Sequence, residues 1–236
     1  MRKVVLSVLI LLTISLSSWT QTRYESWVRV NLNHWIGPKT GIGIELHHRR
    51  QSNFLNEEKN ILDKPMLTIV RPWFYYRGLK KFTIVVSPLS FHDYHEITSS
   101  SGYIRNYLEI RSTYGIQRNL TLGKFVNRNR IWYELRFTDV NSSHRIFQTR
   151  LRIQNTFLLP IWKSDSKTKL NYNFTNEFFV GQKKDLINFD HNRLFNGLQL
   201  KKAGYEINLG YQWSRHNATP HSYSRHQLFL NTSFDL

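Results

Sequence analysis

The chain has 236 residues, a formal net charge of +17, 14% aromatic residues and no cysteine. This length allows one large β domain or two domains of ordinary size. The absence of cysteine excludes disulfide frameworks and cysteine-ligated zinc sites, and it is compatible with an oxidising compartment. The basic excess fits a solvated surface or, more specifically, contact with anionic lipid headgroups and lipopolysaccharide phosphates.

The N-terminal segment has the features of an export signal. Basic residues at 2–3 precede an apolar stretch at 4–14, and a small-x-small cleavage pattern follows at 18–20. The pattern predicts a signal peptide at residues 1–20 and export by the general secretory route. The apolar stretch is shorter than the ~20 residues that a transmembrane helix needs. No cysteine follows it, which excludes a lipoprotein, and an exported chain rarely meets nucleic acid.

Beyond residue 20, apolar and polar residues alternate with period two in eleven runs. Successive side chains of a β-strand point to opposite faces, so each run predicts a strand with one apolar and one polar face. In chain order the runs are 24–35, 41–50, 66–77, 82–91, 103–117, two within 127–157, 168–181, 192–201, 205–214 and 228–236. Pro72 interrupts the third run and predicts a bulge or a strand end there.

The breaks between the runs alternate between short and long. The long breaks are 51–64, 92–102, 139–143, 183–190 and 216–222. Membrane β-strands need about 9–11 residues, and outer-membrane barrels combine short periplasmic turns with longer external loops. The sequence therefore predicts an all-β fold, an antiparallel transmembrane β-barrel over residues 21–236. A soluble lipocalin-like barrel or sandwich is the alternative, but it gives no reason for arginine and glutamate to occupy a whole strand face.

The number of strands does not follow from the runs alone. Bacterial single-chain barrels have an even number of strands, whereas the sequence shows eleven runs. Either one strand is hidden in a break, or one run lies outside the barrel. We therefore expect ten to twelve strands and favour twelve. The run from Leu228 to Leu236 is expected to be the C-terminal strand that barrel-insertion machinery recognises.

Several segments resemble one protein family in their order along the chain. They are WVRVNLNHW, GIGIELHHRR, RNRIWYELRF, HRIFQTRLRIQNTFLLP, NEFF, FDHNRLFNGLQLK and LGYQW, of which FDHNRLFNGLQLK is the most specific. They are similar to an outer-membrane β-barrel family of Bacteroidota, catalogued as a domain of unknown function, number 2490. The resemblance covers nearly the whole mature chain and implies fold and location, but no activity and no catalytic residues. His191 replaces the glutamine that is usual in the most specific segment.

The polar faces of the runs carry the strongest candidate site. By alternation, thirteen charged residues are expected to face the barrel lumen. They are Glu45, Arg49, Arg71, Arg77, Glu109, Arg111, Glu134, Arg136, Arg150, Arg152, Glu177, Arg193 and Glu206. In a narrow barrel they must pair, because an isolated buried charge is very costly. Two interpretations remain open: a structural plug of ion pairs, or a selectivity lining that prefers anions because arginines outnumber glutamates.

Histidines form a second signal, since most of them lie in or beside the long breaks and would crowd the outer rim. His92 and His95, with Asp190 and His191, are weak candidates for a transition-metal site of imidazole and carboxylate ligands. Histidines scattered over polar loops are more often solvated. We therefore expect neither a metal nor another cofactor.

A lipid-modifying hydrolase or acyltransferase is the rival function. The residues at 142–144 and 222–226 supply serine and histidine at the expected outer rim. A catalytic triad is recognised by geometry rather than by adjacency in sequence, and the chain has neither a serine elbow motif nor a fixed acid partner. We therefore assign no catalytic residue and favour a protein that is not an enzyme.

These observations together predict a monomeric barrel in a bacterial outer membrane. Its expected partners are outer-membrane lipid, lipopolysaccharide and the barrel-insertion machinery, with no nucleic acid. The expected role is structural or that of a narrow, anion-preferring passive channel, with the lipid-modifying enzyme as the alternative.

Overall fold

The computed structural model describes residues 21–53, 59–97, 103–141, 144–164, 168–183, 186–216 and 223–236. These residues form a closed barrel of eleven strands. The strands are β1 (Gln21–Trp35), β2 (Thr40–Gln51), β3 (Lys64–Tyr76), β4 (Phe82–Ile97), β5 (Ile104–Leu122), β6 (Phe125–Asn141), β7 (His144–Ser164), β8 (Thr168–Lys183), β9 (Leu186–Lys202), β10 (Tyr205–His216) and β11 (Tyr223–Asp235). The predicted signal peptide lies outside the described residues. Within the described ranges, no helix is long and apolar enough to cross a membrane.

The expectation of twelve strands is wrong, because all eleven runs are strands of one barrel and no further strand is needed to close it. Consecutive strands pair antiparallel, as predicted. In a meander with an odd number of strands, the first and last strands run in the same direction. The barrel therefore closes through a parallel seam between β1 and β11, whose register runs from Gln21 opposite Tyr223 to Asn33 opposite Asp235.

The predicted alternation of faces is confirmed. In β6, Ile131 and Tyr133 are exposed on the outer surface, while Trp132 and Glu134 are buried in the interior. The same pattern holds in β7, where Ile153 is exposed between polar neighbours of the interior. A protein with this arrangement has an apolar outside and a charged inside, which is the reverse of a soluble globular fold.

The two ends of the barrel differ in their connections. The short-turn end carries the connections 36–39, 77–81, 123–124, 165–167 and 203–204, together with Leu236. The long-loop end carries 52–63, 98–103, 142–143, 184–185 and 217–222, together with the start of β1. The predicted long breaks at 92–102 and 183–190 were too long, since β4 continues to Ile97 and β9 begins at Leu186. Their polar residues looked like loops because polar side chains fill the inside of this barrel.

Glycines on the strands leave room for large aromatic rings to pack against the inner wall. Gly197 and Gly210 lie opposite each other on β9 and β10, and a Cβ atom on either would collide with the Phe195 ring and with the neighbouring backbone. Rings packed over strand glycines in this way help to fix register and curvature. The irregularity predicted at Pro72 is confirmed, because the β3–β4 register shifts between Val70 and Phe74.

Candidate functional site

Glu134 is the centre of an ion-pair network in the barrel interior. It is 0% exposed, and it lies directly across from Arg150 in the β6–β7 register. The Arg150 Nη2 atom is 2.7 Å from Glu134 Oε2, and Arg152 Nη1 is 2.7 Å from Glu134 Oε1. Both carboxylate oxygens are therefore occupied by guanidinium groups, which is the arrangement that makes a buried carboxylate tolerable.

The network continues around the wall in both directions. Arg152 Nη2 also lies 2.7 Å from Glu177 Oε1, and Arg193 Nη1 lies 3.2 Å from Glu177 Oε2. On the other side, Glu109 accepts from Arg111 and from Arg136 Nη2, the latter at 2.7 Å. We call these eight residues the main ladder: Glu109, Arg111, Glu134, Arg136, Arg150, Arg152, Glu177 and Arg193.

A second network spans the parallel seam and was missed from the sequence. Arg225 Nη1 lies 3.1 Å from Glu25 Oε1, and Arg23 Nη1 lies 2.9 Å from Glu96 Oε1. Arg225 also contacts Glu96, so the four residues form one seam cluster. The period-two pattern of β1 extends back from Arg29 to Glu25 and Arg23, and this extension was the signal that could have revealed it.

Neutral side chains fill the interior around these networks in the half of the barrel nearer the long-loop end. Ser87, Ser90, His92 and Thr113 are all 0% exposed. These residues, together with Glu109 and Glu134, are completely shielded from solvent by the surrounding protein, so the interior is filled at this level.

The other half of the interior contains a cavity of 1210 Å³ that reaches the short-turn end. Arg152, Glu177 and Arg193 of the main ladder form its inner boundary, and Trp27, Trp73 and Trp132 contribute aromatic surface. Its basic lining residues are Arg29, Arg77, Lys81, Lys124, Arg128, Arg130, Arg152, Lys169, Arg193, Lys201 and Lys202. Its acidic lining residues are Glu45, Glu177, Glu206 and Asp235. Basic residues therefore dominate the cavity.

The remaining members of the predicted lumen set lie outside the main ladder. Arg71 Nη1 is 3.7 Å from Glu45 Oε1, so these two form a separate pair. Arg49 donates from Nε to His47 Nε2 at 3.2 Å and stacks on Trp27, with Cζ 3.5 Å from the ring centroid. Two residues lie towards the short-turn end: Arg77 is exposed and stacks 3.6 Å over Trp35, and Glu206 accepts a 2.9 Å hydrogen bond from Asn208.

The four weak metal candidates are not brought together by the described structure. His92 bonds Ser90 Oγ at 3.0 Å inside the filled half, and His95 lies 3.1 Å from Asp93. The expectation that histidines crowd the outer rim is also wrong for His47, His92 and His191, which are buried because they pack against charged and aromatic groups of the interior.

Asp190 and His191 instead lie close to His216, with one ligand-type atom of each within 4.8 Å of the others. The imidazole of His191 is sandwiched between Phe179 at 3.7 Å and His216 at 4.3 Å, with nearly parallel planes. Lone pairs lie in the ring planes, so stacked imidazoles do not converge on one ion. Arg150 also lies 3.5 Å from Asp190 and opposes a second cation there. Phe179, His191 and His216 therefore form a stack of packed rings rather than a metal site.

The serine and histidine candidates of the rival function lie mostly outside the described structure, which omits Ser142, Ser143, Ser222 and the His144 side chain. Among described residues, Ser90 and Ser214 each place Oγ 3.0 Å from a histidine Nε2. Both serines are at most 1% exposed. Neither hydroxyl is accessible to a lipid in this structure.

Comparison with known proteins gives a family and no further relatives. A family model described as "Protein of unknown function (DUF2490)" matches residues 24–225. No curated protein and no solved structure matches the chain. The site itself must therefore carry any functional conclusion.

Proposed function

The chain belongs to this family of unknown function, and we propose that it is an outer-membrane β-barrel of the Bacteroidota that admits anions from one side and is closed at the other. The protein is a structural barrel whose interior accepts anions, and it is neither a freely conducting pore nor a lipid-modifying enzyme. It acts as a monomer, with outer-membrane lipid and lipopolysaccharide around it and barrel-insertion machinery as its assembly partner.

The outer surface supports a membrane location. Large apolar side chains are exposed around the barrel, including Val28 on β1, Leu46 on β2, Phe74 on β3, Leu209 on β10 and Leu228 on β11. A soluble monomer rarely exposes so extensive an apolar surface, whereas a lipid-facing barrel requires one. The closed hydrogen-bond ladder also satisfies the backbone without water, which is a condition for crossing a bilayer.

The complete burial of Glu109 and Glu134 is the observation that carries the proposal. Both carboxylates are 0% exposed although they point into the lumen. An open channel at this level would leave them in contact with water. The cavity nearer the short-turn end, by contrast, presents an excess of arginine and lysine to the outside. Because short turns are periplasmic in outer-membrane barrels, the cavity opens to the periplasm in this proposal.

Conductance in planar bilayers tests this function. We expect the purified protein, inserted and folded as judged by gel migration before and after heating, to show no steady openings. A variant carrying Glu134→Ala, Arg150→Ala and Arg152→Ala removes a carboxylate together with its two closest partners, so it leaves fewer uncompensated charges than a single substitution. We expect it to show small, anion-preferring openings.

Steady openings of the unmodified protein would contradict the closed interior. Recovery of the protein in the inner-membrane or soluble fraction of the cell would contradict the proposed location. Lipid turnover that depends on a rim serine would favour the rival enzyme instead.

A further inference from the structure

Three arginines that line the cavity lack the carboxylate partner that each arginine of the main ladder has. Arg29 on β1 and Arg128 and Arg130 on β6 line the cavity, yet none has a carboxylate within ion-pair distance among the described residues. Arg152 and Arg193, which line the same cavity, both pair with Glu177. The three cations therefore contrast with their paired neighbours in the cavity. Arg49 and Arg77 also contact rings rather than carboxylates, and Glu45 attracts Arg29 from beyond ion-pair distance.

Aromatic rings hold two of these arginines in place. The Arg29 guanidinium carbon lies 5.0 Å from the Trp27 ring centroid and 5.5 Å from that of Phe229. The Arg130 guanidinium carbon lies 5.5 Å from the Trp132 ring centroid. Contacts of this length attract the cation to the ring. The N–H groups of a guanidinium lie along its planar edge, so such contacts do not consume the donors.

The donors of these arginines are underused. Arg130 donates from Nε to Gln117 Oε1 at 2.8 Å. The Nε atoms of Arg29 and Arg128 are buried and have no hydrogen-bond acceptor among the described residues. A buried donor without an acceptor costs roughly 1–3 kcal/mol. An oxyanion in the cavity would supply acceptors and charge at the same time.

The arrangement favours a ligand with more than one charged group. Strands β1 and β6 are far apart in the strand order of the eleven-stranded barrel, so Arg29 and Arg130 approach the cavity from opposite walls. Lys81, Lys124, Lys169, Lys201 and Lys202 lie towards its mouth at the short-turn end. A cleft lined by one sign of charge concentrates ligands of the opposite sign.

A neutral sugar is a poorer match for the same cavity. Its amide-rich wall is already hydrogen-bonded to itself, because Asn171 donates to Gln199 at 2.9 Å and Asn173 donates to Asn208 at 3.0 Å. Among the described residues that line the cavity, the buried donors without an acceptor are Nε of Arg29, Arg128 and Arg193 and the indole N–H groups of Trp27 and Trp132, and none of them is an amide.

We infer that Arg29, Arg128 and Arg130 form a binding site for a small oxyanion that carries at least two phosphate or carboxylate groups. Guanidinium forks bind either group through paired hydrogen bonds. This inference deepens the proposed function, but it depends on that proposal only for the compartment to which the cavity opens.

Titration calorimetry of the folded protein in detergent micelles tests the site. Pyrophosphate and citrate are the probes at low ionic strength, with inorganic phosphate as the smaller reference. We expect a saturable interaction with pyrophosphate, citrate or both, and weaker binding of inorganic phosphate. Pyrophosphate alone would identify a phosphate site, and citrate alone a carboxylate site. Arg29→Gln and Arg130→Gln should each weaken binding by about tenfold, as expected for the loss of a charge-assisted hydrogen bond.

Arg215→Gln is the matched control, because it removes the same charge from an exposed residue of β10 that does not line the cavity. We expect this variant to bind as the parent protein does. Absence of binding by the parent protein would overturn the inference. Equal loss in the control and cavity variants would also overturn it, because it would show non-specific attraction.

The outcomes separate this site from the proposed function. If the barrel conducts ions and Arg29→Gln abolishes pyrophosphate binding, the binding site is supported and the closed interior is overturned. If the barrel shows no conductance and binds neither pyrophosphate nor citrate, the closed interior is supported and the binding site is overturned.

Discussion

The two halves of the barrel interior are built from the same strands and the same alternation, yet one is filled and the other is hollow. Glu134 in the filled half has Arg150 directly across from it on β7. Four residues earlier on the same strand, Arg130 has Gln117 on one side and Gln154 on the other. The number of arginines is therefore a poor guide to whether a lumen is open. The positions of the carboxylates decide it, because only a paired guanidinium is stable without water or a ligand.

The largest effect is expected from a substitution that disrupts the ion pairs of the filled half. Glu134→Ala removes the closest carboxylate of Arg150 and one of the two carboxylates of Arg152, so we expect a loss of about 3–5 kcal/mol in the free energy of unfolding. Tyr133→Leu, on the exposed outer face of the same strand, should cost less than about 1 kcal/mol. Urea unfolding in phospholipid vesicles measures both. Equal losses would show that the main ladder does not stabilise the barrel.

A smaller effect should follow from making the hollow half resemble the filled one. Gln154→Glu places a carboxylate opposite Arg130 in the β6–β7 register. We expect a gain in stability on the order of 1 kcal/mol and a loss of pyrophosphate and citrate binding, because the new carboxylate competes for Arg130. Calorimetry and urea unfolding report the two changes.

Gln148→Glu is the control for this substitution. It lies opposite Arg136, which already pairs with Glu109, so anion binding should be unchanged. If Gln154→Glu also leaves anion binding unchanged, Arg130 does not contribute to the site.

The smallest effect is expected at Arg77, which is exposed and stacks on Trp35 at the short-turn end. An exposed cation–π contact contributes about 0.5–1 kcal/mol, so Arg77→Ala should lower stability by no more than that. Binding at the three interior arginines should change little at moderate salt, since screening weakens a distant exposed charge. A loss as large as that of Arg130→Gln would extend the binding site to the cavity mouth.

Much of the fold follows from period-two alternation, which located all eleven strands and their inner and outer faces. The expected count of twelve is wrong because the even number of strands usual in bacterial barrels does not apply to this barrel, which closes with eleven. The loops were predicted too long at His92 and Asp190 because, inside this barrel, a polar residue is no sign of solvent.

The candidate site was less accessible from sequence. Alternation put Glu134 and Arg152 on the polar face, but the bridging of Glu134 and Glu177 by one arginine depends on strand register, which alternation alone does not fix. The seam cluster joins β1, β4 and β11, residues far apart in sequence. The cavity was unforeseen because its volume depends on which interior side chains face each other across the lumen.

The parallel seam also places the start of β1 and the end of β11 at opposite ends of the barrel. Leu236 donates its backbone N–H to Asn33 O at 2.8 Å at one mouth, while Gln21 pairs with Tyr223 at the other. In an even-stranded barrel the two ends would meet and a short linker could join them for circular permutation. Here such a linker must span the 13 residues of β11, about 40 Å at the usual rise of a strand. In the outer-membrane location that we propose, the linker would have to cross either lipid or the filled interior. We therefore expect that permuted versions of this barrel do not assemble, and that tags placed before Gln21 and after Leu236 lie at opposite ends of the barrel.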